Sequence, residues 1–114
     1  MARQTDKIEL VRGTLEMLIL RTLQLGPAHG HQIAKHIQRS SDDVFQIEHG
    51  SLYPALHRLE RKGWLTAKWE SGHGERKFKY YRLTPQGKKQ LAVEESKWKQ
   101  LVRAIGKVAA RAES

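Results

Sequence analysis

The chain of 114 residues contains no cysteine, and this removes disulfides, thiolate metal sites and a cysteine nucleophile together. Proline occurs only at Pro27, Pro54 and Pro85, so each one marks a turn or the opening of a helix. Aromatic residues make up 7%. No apolar run is long enough to span a bilayer, because the richest, Leu15 to Leu25, is broken by Glu16, Arg21 and Gln24. The first residues, M-A-R-Q-T-D-K-I-E-L, have mixed charge and lack the apolar centre of a signal peptide. The expectation is a cytoplasmic protein with no membrane partner. Neither a nucleophile beside a base nor a group of carboxylates stands out, so no catalytic residue, and no enzyme, is expected. Acidic residues are also scarce: 12 Asp+Glu against 21 Lys+Arg leave a formal charge of +9. Such a surplus points to a polyanionic partner without choosing between nucleic acid and an anionic surface.

The length allows one domain with an appended element. Its informative stretch is Glu48–Leu65, E-H-G-S-L-Y-P-A-L-H-R-L-E-R-K-G-W-L. Leu52, Ala55, Leu56 and Leu59 recur at i, i+3, i+4 and i+7 and form one apolar stripe. Tyr53, His57, Arg58, Arg61 and Lys62 lie off that stripe. Ser51 is the expected N-cap, with Pro54 confined to the first turn and Gly63 at the stop. Upstream, Thr14 is read as the cap of a helix bearing Leu15, Leu18, Ile19 and Leu23. Met17, Leu20 and Leu25 widen its apolar surface, which places this helix centrally, and Gly26-Pro27 ends it. A loop, Ala28-His29-Gly30, precedes a second helix over 32–39 with Ile33, Ala34 and Ile37 inward and Lys35, His36 and Arg39 outward. A turn at 40–43 and a short strand within Val44–Glu48 follow. Two helices, a short link and a capped basic helix form the helix-turn-helix order.

Beyond Gly63 the period changes. Leu65, Ala67 and Trp69 alternate with Thr66, Lys68 and Glu70, and Phe78–Leu83 also suits a strand. Ser71-Gly72-His73-Gly74-Glu75 supplies the hairpin turn. A hairpin behind a basic helix reads as a wing, carrying Lys68, Arg76, Lys77, Lys79 and Arg82. Thr84-Pro85 opens a last helix reaching about Ala112. There Leu91, Trp98, Leu101, Val102, Ile105 and Val108 form a seam too long for so small a domain to cover, which implies a second copy.

His29, His31 and His36 have poor spacing for a metal and read as loop or capping residues, so no metal and no cofactor is expected. Gly72-x-Gly74 lacks the strand and helix that a phosphate cradle needs, so it is a turn. His57 reads as a surface histidine.

Four blocks, in order, resemble the PadR family of bacterial winged-helix transcriptional regulators: G-T-L-E-M-L-I-L-R-T-L (Gly13–Leu23), P-A-H-G-H-Q-I-A (Pro27–Ala34), G-S-L-Y-P-A-L-H-R-L-E (Gly50–Glu60) and K-Y-Y-R-L-T-P-Q-G-K (Lys79–Lys88). The short length resembles members with a single C-terminal dimerising helix. The resemblance implies a homodimer of winged helix-turn-helix modules on a near-palindromic operator, usually a repressor. It implies that Ser51, Tyr53 and Pro54 lie at the groove-facing start of the recognition helix, Arg76 and Lys77 on the wing, and Tyr81 as a buttress. Trp98 resembles a residue that in some relatives helps to line a flat ligand pocket. The chain departs from the family pattern at His31, where Tyr is commoner, and at the Gly-His-Gly wing tip.

The reading is therefore an α+β, mainly α protein: a winged helix-turn-helix of three helices plus hairpin, with an N-terminal arm, over 1–83, and a C-terminal dimerisation helix over 84–114. Its expected partners are double-stranded DNA, a second copy of itself and, at Trp98, a small aromatic effector. The expected DNA-binding residues are Lys35, Ser51, Tyr53, Pro54, His57, Arg58, Arg61, Lys62, Lys68, Arg76, Lys77 and Lys79. An RNA-binding winged helix, or a dimeric interaction module that does not touch DNA, is the rival reading.

Overall fold

The computed structural model describes residues 8–9, 12–72, 74 and 76–112. Most of the expected N-terminal arm, and His73 and Glu75 of the wing tip, lie outside the described residues. A two-residue strand β1 (Ile8–Glu9) leads to α1 (Arg12–Leu23). The latter buries Leu15, Met17, Ile19, Leu20, Thr22 and Leu23. Residues so spread around a helix require neighbours on several sides, and α1 is the central helix of the fold, as expected. Two details differ. Thr14 lies inside the first turn rather than capping it, and Leu25, past the helix end, is 76% exposed. The buried Thr22 hydroxyl is satisfied by donating to the Leu18 carbonyl at 2.8 Å.

The stretch Ala28–His29 is a strand, β2, and α2 follows directly over Gly30–Ser40. His29 caps α2: its Nδ1 accepts from the Gln32 N–H at 3.3 Å, while Gln32 Oε1 accepts from the His29 N–H at 3.0 Å. This is a capping box with imidazole in place of a hydroxyl. Ile33, Ala34 and Ile37 point inward as expected. The turn after α2 places Asp42 and Asp43 at φ 53° and 64°, a region that short polar side chains tolerate.

A second short strand, β3 (Phe45–Gln46), pairs in parallel with β1. The third helix, α3 (His49–Arg61), begins earlier than its sequence suggests. Glu48 is the N-cap and makes no side-chain cap, so Ser51 lies inside the first turn and Pro54 inside the helix. Proline there costs one N–H bond, to the carbonyl of Gly50, which is exposed and can turn to water. The inward stripe is as the spacing predicts: Leu52, Ala55, Leu56 and Leu59 are fully buried. Gly63, at φ +80°, stops the helix. Its N–H reaches Glu60 O at 3.0 Å and the Trp64 N–H reaches Leu59 O at 3.1 Å, the bonding of a Schellman motif.

The wing is β4 (Leu65–Ser71) against β5 (Lys77–Leu83), antiparallel from Leu65↔Leu83 to Ser71↔Lys77. On the other edge of β5, β2 adds a third strand through Ala28↔Tyr81 and His29↔Tyr80. Tyr81, on the middle strand between Ala28 and Ala67, is buried in the core.

Thr84 then joins the wing to α4 (Pro85–Ala112). Its hydroxyl accepts from the Gly87 N–H at 2.9 Å and donates to Gly63 O at 2.8 Å, and its own N–H bonds Trp64 O at 3.0 Å. A Cβ on Gly87 would strike the Trp64 carbonyl, so only glycine permits this approach. Leu91 turns into the protomer's own core at 2% exposure. It therefore cannot belong to an intermolecular seam. Farther along, Trp98, Leu101, Val102, Ile105 and Val108 are all exposed on a helix of 28 residues. The elements form a mainly helical winged helix-turn-helix with one long trailing helix.

Candidate nucleic-acid interface

The outward face of α3 presents Ser51, Tyr53, Pro54, His57 and Arg61 to solvent. Tyr53, Pro54, His57, Arg58 and Arg61 border an open hollow of about 380 Å³ along that face. Tyr53 is positioned by α2. A Cβ built on Gly30 would come within 2.7 Å of its hydroxyl oxygen, so the phenol lies flush against the backbone where α2 begins. His49 meets the same ring edge-on, with centroids 5.6 Å apart.

Arg58 is also a link within the body. Its Nε donates to Glu16 Oε2 at 2.7 Å, joining α3 to α1. Glu16 also draws Arg12 at 3.6 Å and Lys62 at 3.8 Å. Lys62 sits over the Trp64 ring at 4.5 Å as well. Its pairing with Glu16 is long and half in water, so it constrains the lysine weakly.

Strand alternation divides the wing's cations between two faces. Trp69, Lys77 and Lys79 share the face that begins with the buried Leu65 and Tyr81. Lys68, Phe78, Tyr80 and Arg82 share the other. The first face and the start of α3 form the walls of a cleft of about 410 Å³, whose lining includes Tyr53, His57, Trp69, Lys77 and Lys79. Lys79 is held at 3.4 Å from Glu60 and lies over the Tyr81 ring at 5.4 Å. Arg82 pairs with Glu70 at 3.0 Å on the opposite face. Lys68 and Lys35 are exposed but do not line the cleft, and Arg76 stands exposed beside the wing tip.

Trp69 is not one of the residues that the sequence marks for DNA. It is 64% exposed. Its phase matches Leu65 and Ala67, which suggests an inward residue. But seven residues at roughly 3.3 Å each carry the strand past the end of the core. The length of the strand is the signal that could have found it.

At the far edge of the cleft, His29 stacks on Phe78 with centroids 4.6 Å apart and meets Tyr80 edge-on at 5.4 Å. Burial, and then the neighbouring His31, lower its pKa from the usual 6.5. Burial pushes the Tyr81 phenol up, with Lys79 pulling the other way. Among the described residues no three His, Cys, Asp or Glu side chains gather as metal ligands.

A separate hollow of about 190 Å³ lies where α4 passes the start of α1, lined by Gly13, Thr14, Met17, Glu94, Lys97, Trp98 and Leu101. Trp98 is partly sheltered there, at 40% exposure.

Three helices around a buried stripe, a hairpin beside the third and a basic outward surface define a winged-helix regulator. The chain belongs to the transcriptional regulator PadR-like family, whose model matches residues 19–93. Among solved structures it is similar to a PadR-family transcriptional regulator of Eggerthella lenta. That pair is 39% identical with a TM-score of 0.73, over 86% of this chain and 83% of the other. A transcriptional regulator of Clostridium thermocellum is 31% identical, with a TM-score of 0.78 over 84% and 93%. A transcriptional regulator of Mycobacterium tuberculosis is 28% identical over 97 residues, covering 85% of this chain and 87% of the relative. The protein is thus a transcriptional regulator and not an enzyme. No helix among the described residues is long and apolar enough to cross a membrane.

Proposed function

We propose that this protein is a homodimeric, DNA-binding repressor that reads a near-palindromic operator in the cytoplasm. The observation that carries the reading is the cationic cleft whose two walls are the exposed start of α3 and one face of the wing. In this assignment α3 enters the major groove. Ser51, Tyr53, Pro54 and His57 approach base edges and sugars, while Lys35, Arg61, Lys62, Lys68, Arg76, Lys77 and Lys79 neutralise phosphates. Residues 1–83 act as the DNA-binding unit and residues 84–114 as the dimerisation helix.

The dimer is supported by the exposed stripe of Trp98, Leu101, Val102, Ile105 and Val108, of which the start of α1 shelters only the near end. Apolar side chains repeating at this spacing are the sticky face of a paired helix. A two-fold protein implies a two-fold site, with half-sites about one helical turn apart or a multiple of it. Selection of bound duplexes from a random pool tests the proposal. Enrichment of an inverted repeat is expected, and a pool that stays random under low salt overturns it. The hollow beside Trp98 favours a second, compatible role as a platform for a flat aromatic effector. Concentration-dependent loss of operator binding on adding such a compound is the corresponding readout.

A further inference from the structure

We propose that Trp69 touches the nucleic acid, its indole packing against a sugar or base of the strand held between α3 and the wing. The inference rests on the DNA-binding reading above and assigns the wing a role beyond supplying charge. Three observations lead to it. Tryptophan is highly buried on average, yet Trp69 is 64% exposed, and no described aromatic ring stacks on it. It lines the cleft opposite Tyr53 and His57 of α3, rather than the outer face of the hairpin. Its neighbour directly across the strands is Lys79, with Lys77 one step along the same face.

The chemistry of that grouping selects the occupant. The exposed Lys77, with Lys79 held by Glu60 next to it, beside a broad flat ring favours a partner that alternates anionic groups with apolar faces, and a nucleotide strand alternates phosphate with sugar and base. A phosphate drawn to Lys77 or Lys79 brings its own sugar within reach of an indole on the same strand face, since side chains opposite one another stand about 5 Å apart. A purely anionic ligand would leave the indole unused, and a purely apolar one would leave the exposed ammonium of Lys77 unused. Packing against a deoxyribose is tolerant of sequence, because every nucleotide of a duplex presents the same sugar. Trp69 therefore adds affinity without adding selectivity. It also adds affinity that salt does not screen, unlike that of the lysines.

The test uses the full chain and its selected duplex, with Trp69→Ala and Trp69→Phe measured across a salt series. Trp69→Ala is expected to weaken binding roughly 5- to 10-fold at every salt concentration, leaving the salt slope and the order of preferred sequences unchanged. Trp69→Phe, which keeps a smaller ring, is expected to fall between. Thermal melting of both variants is expected to match the wild type, because the indole is outside the core. In the wild type, saturating duplex should quench or shift tryptophan emission, and this change should be smaller in Trp69→Phe, where Trp64 and Trp98 remain. Wild-type affinity in Trp69→Ala, or an emission change of undiminished size in Trp69→Phe, overturns the inference while leaving DNA binding standing. A wild-type protein that binds no duplex overturns both.

Discussion

Arg58 Nε donates to Glu16 Oε2 at 2.7 Å, with side chains only 18% and 12% exposed. The pair holds the reading surface of α3 to the central helix α1. A hydrogen bond to a charged group in such shelter contributes about 2 kcal/mol. Glu16→Gln keeps the shape and removes the charge that Arg58 faces. It is expected to cost about 1–2 kcal/mol, seen as a lower urea midpoint. Arg58→Ala should lower stability by a similar amount. If Arg58→Ala instead reduces operator affinity at unchanged stability, the arginine touches DNA after all.

The wing's exposed cations are expected to act through counterion release. Arg76→Ala and Lys77→Ala should each weaken binding to all duplexes and flatten the plot of log affinity against log salt by about one unit for each phosphate no longer neutralised. Lys68→Ala, on the opposite face of the hairpin, is expected to flatten the slope as well but to weaken binding less than Lys77→Ala. Equal effects at Lys68 and Lys77 would mean that DNA does not favour the cleft face.

Trp98→Ala combined with Leu101→Ala should shift sedimentation toward the monomer and reduce operator affinity together, because one helix face serves both. Leu91→Ala should behave differently. Leu91 belongs to the protomer's own core, so its truncation is expected to cost about 2–5 kcal/mol of folding stability. A double variant that remains fully dimeric refutes the seam.

His29 predicts a pH dependence whose sign follows from its lowered pKa. The unfolded chain takes up the proton first as pH falls, so stability is full above the ordinary value of 6.5 and is lost as pH falls through the lower folded value. Protonated Nδ1 also cannot accept from the Gln32 N–H, which undoes the cap of α2. Urea midpoints measured at about pH 7.5 and about pH 5.5 should differ more in the wild type than in His29→Asn, whose amide caps without titrating in this range. An identical pH dependence in the variant excludes His29 as its source.

Features that one short stretch of chain decides are legible in the sequence. The inward stripe of α3, the stop at Gly63, the strand pairing of the wing and the opening of α4 at Thr84-Pro85 are all local patterns, and each stands where expected. Features that depend on distant chain are not. Nothing near Arg58 announces Glu16, which lies 42 residues away. Ala28–His29 is too short to show a period and becomes a strand only because β5 offers it an edge. Leu91 fits a heptad as well as Trp98 does, and only the position of the globular body determines which of them has a neighbour in its own protomer. The start of α3 escapes the sequence for a different reason. The preference of proline for a first turn reflects a cost and not a prohibition, and here an exposed carbonyl absorbs that cost.

Thr84 binds both the Gly63 carbonyl and the Trp64 carbonyl, with Gly87 pressed against the same segment. The end of the helix that faces outward and the beginning of the long trailing helix are therefore fastened to one another at a single corner. Two such molecules joined by their tails would behave like calipers, in which the set of the hinge, and not the shape of the jaws, decides what length can be gripped.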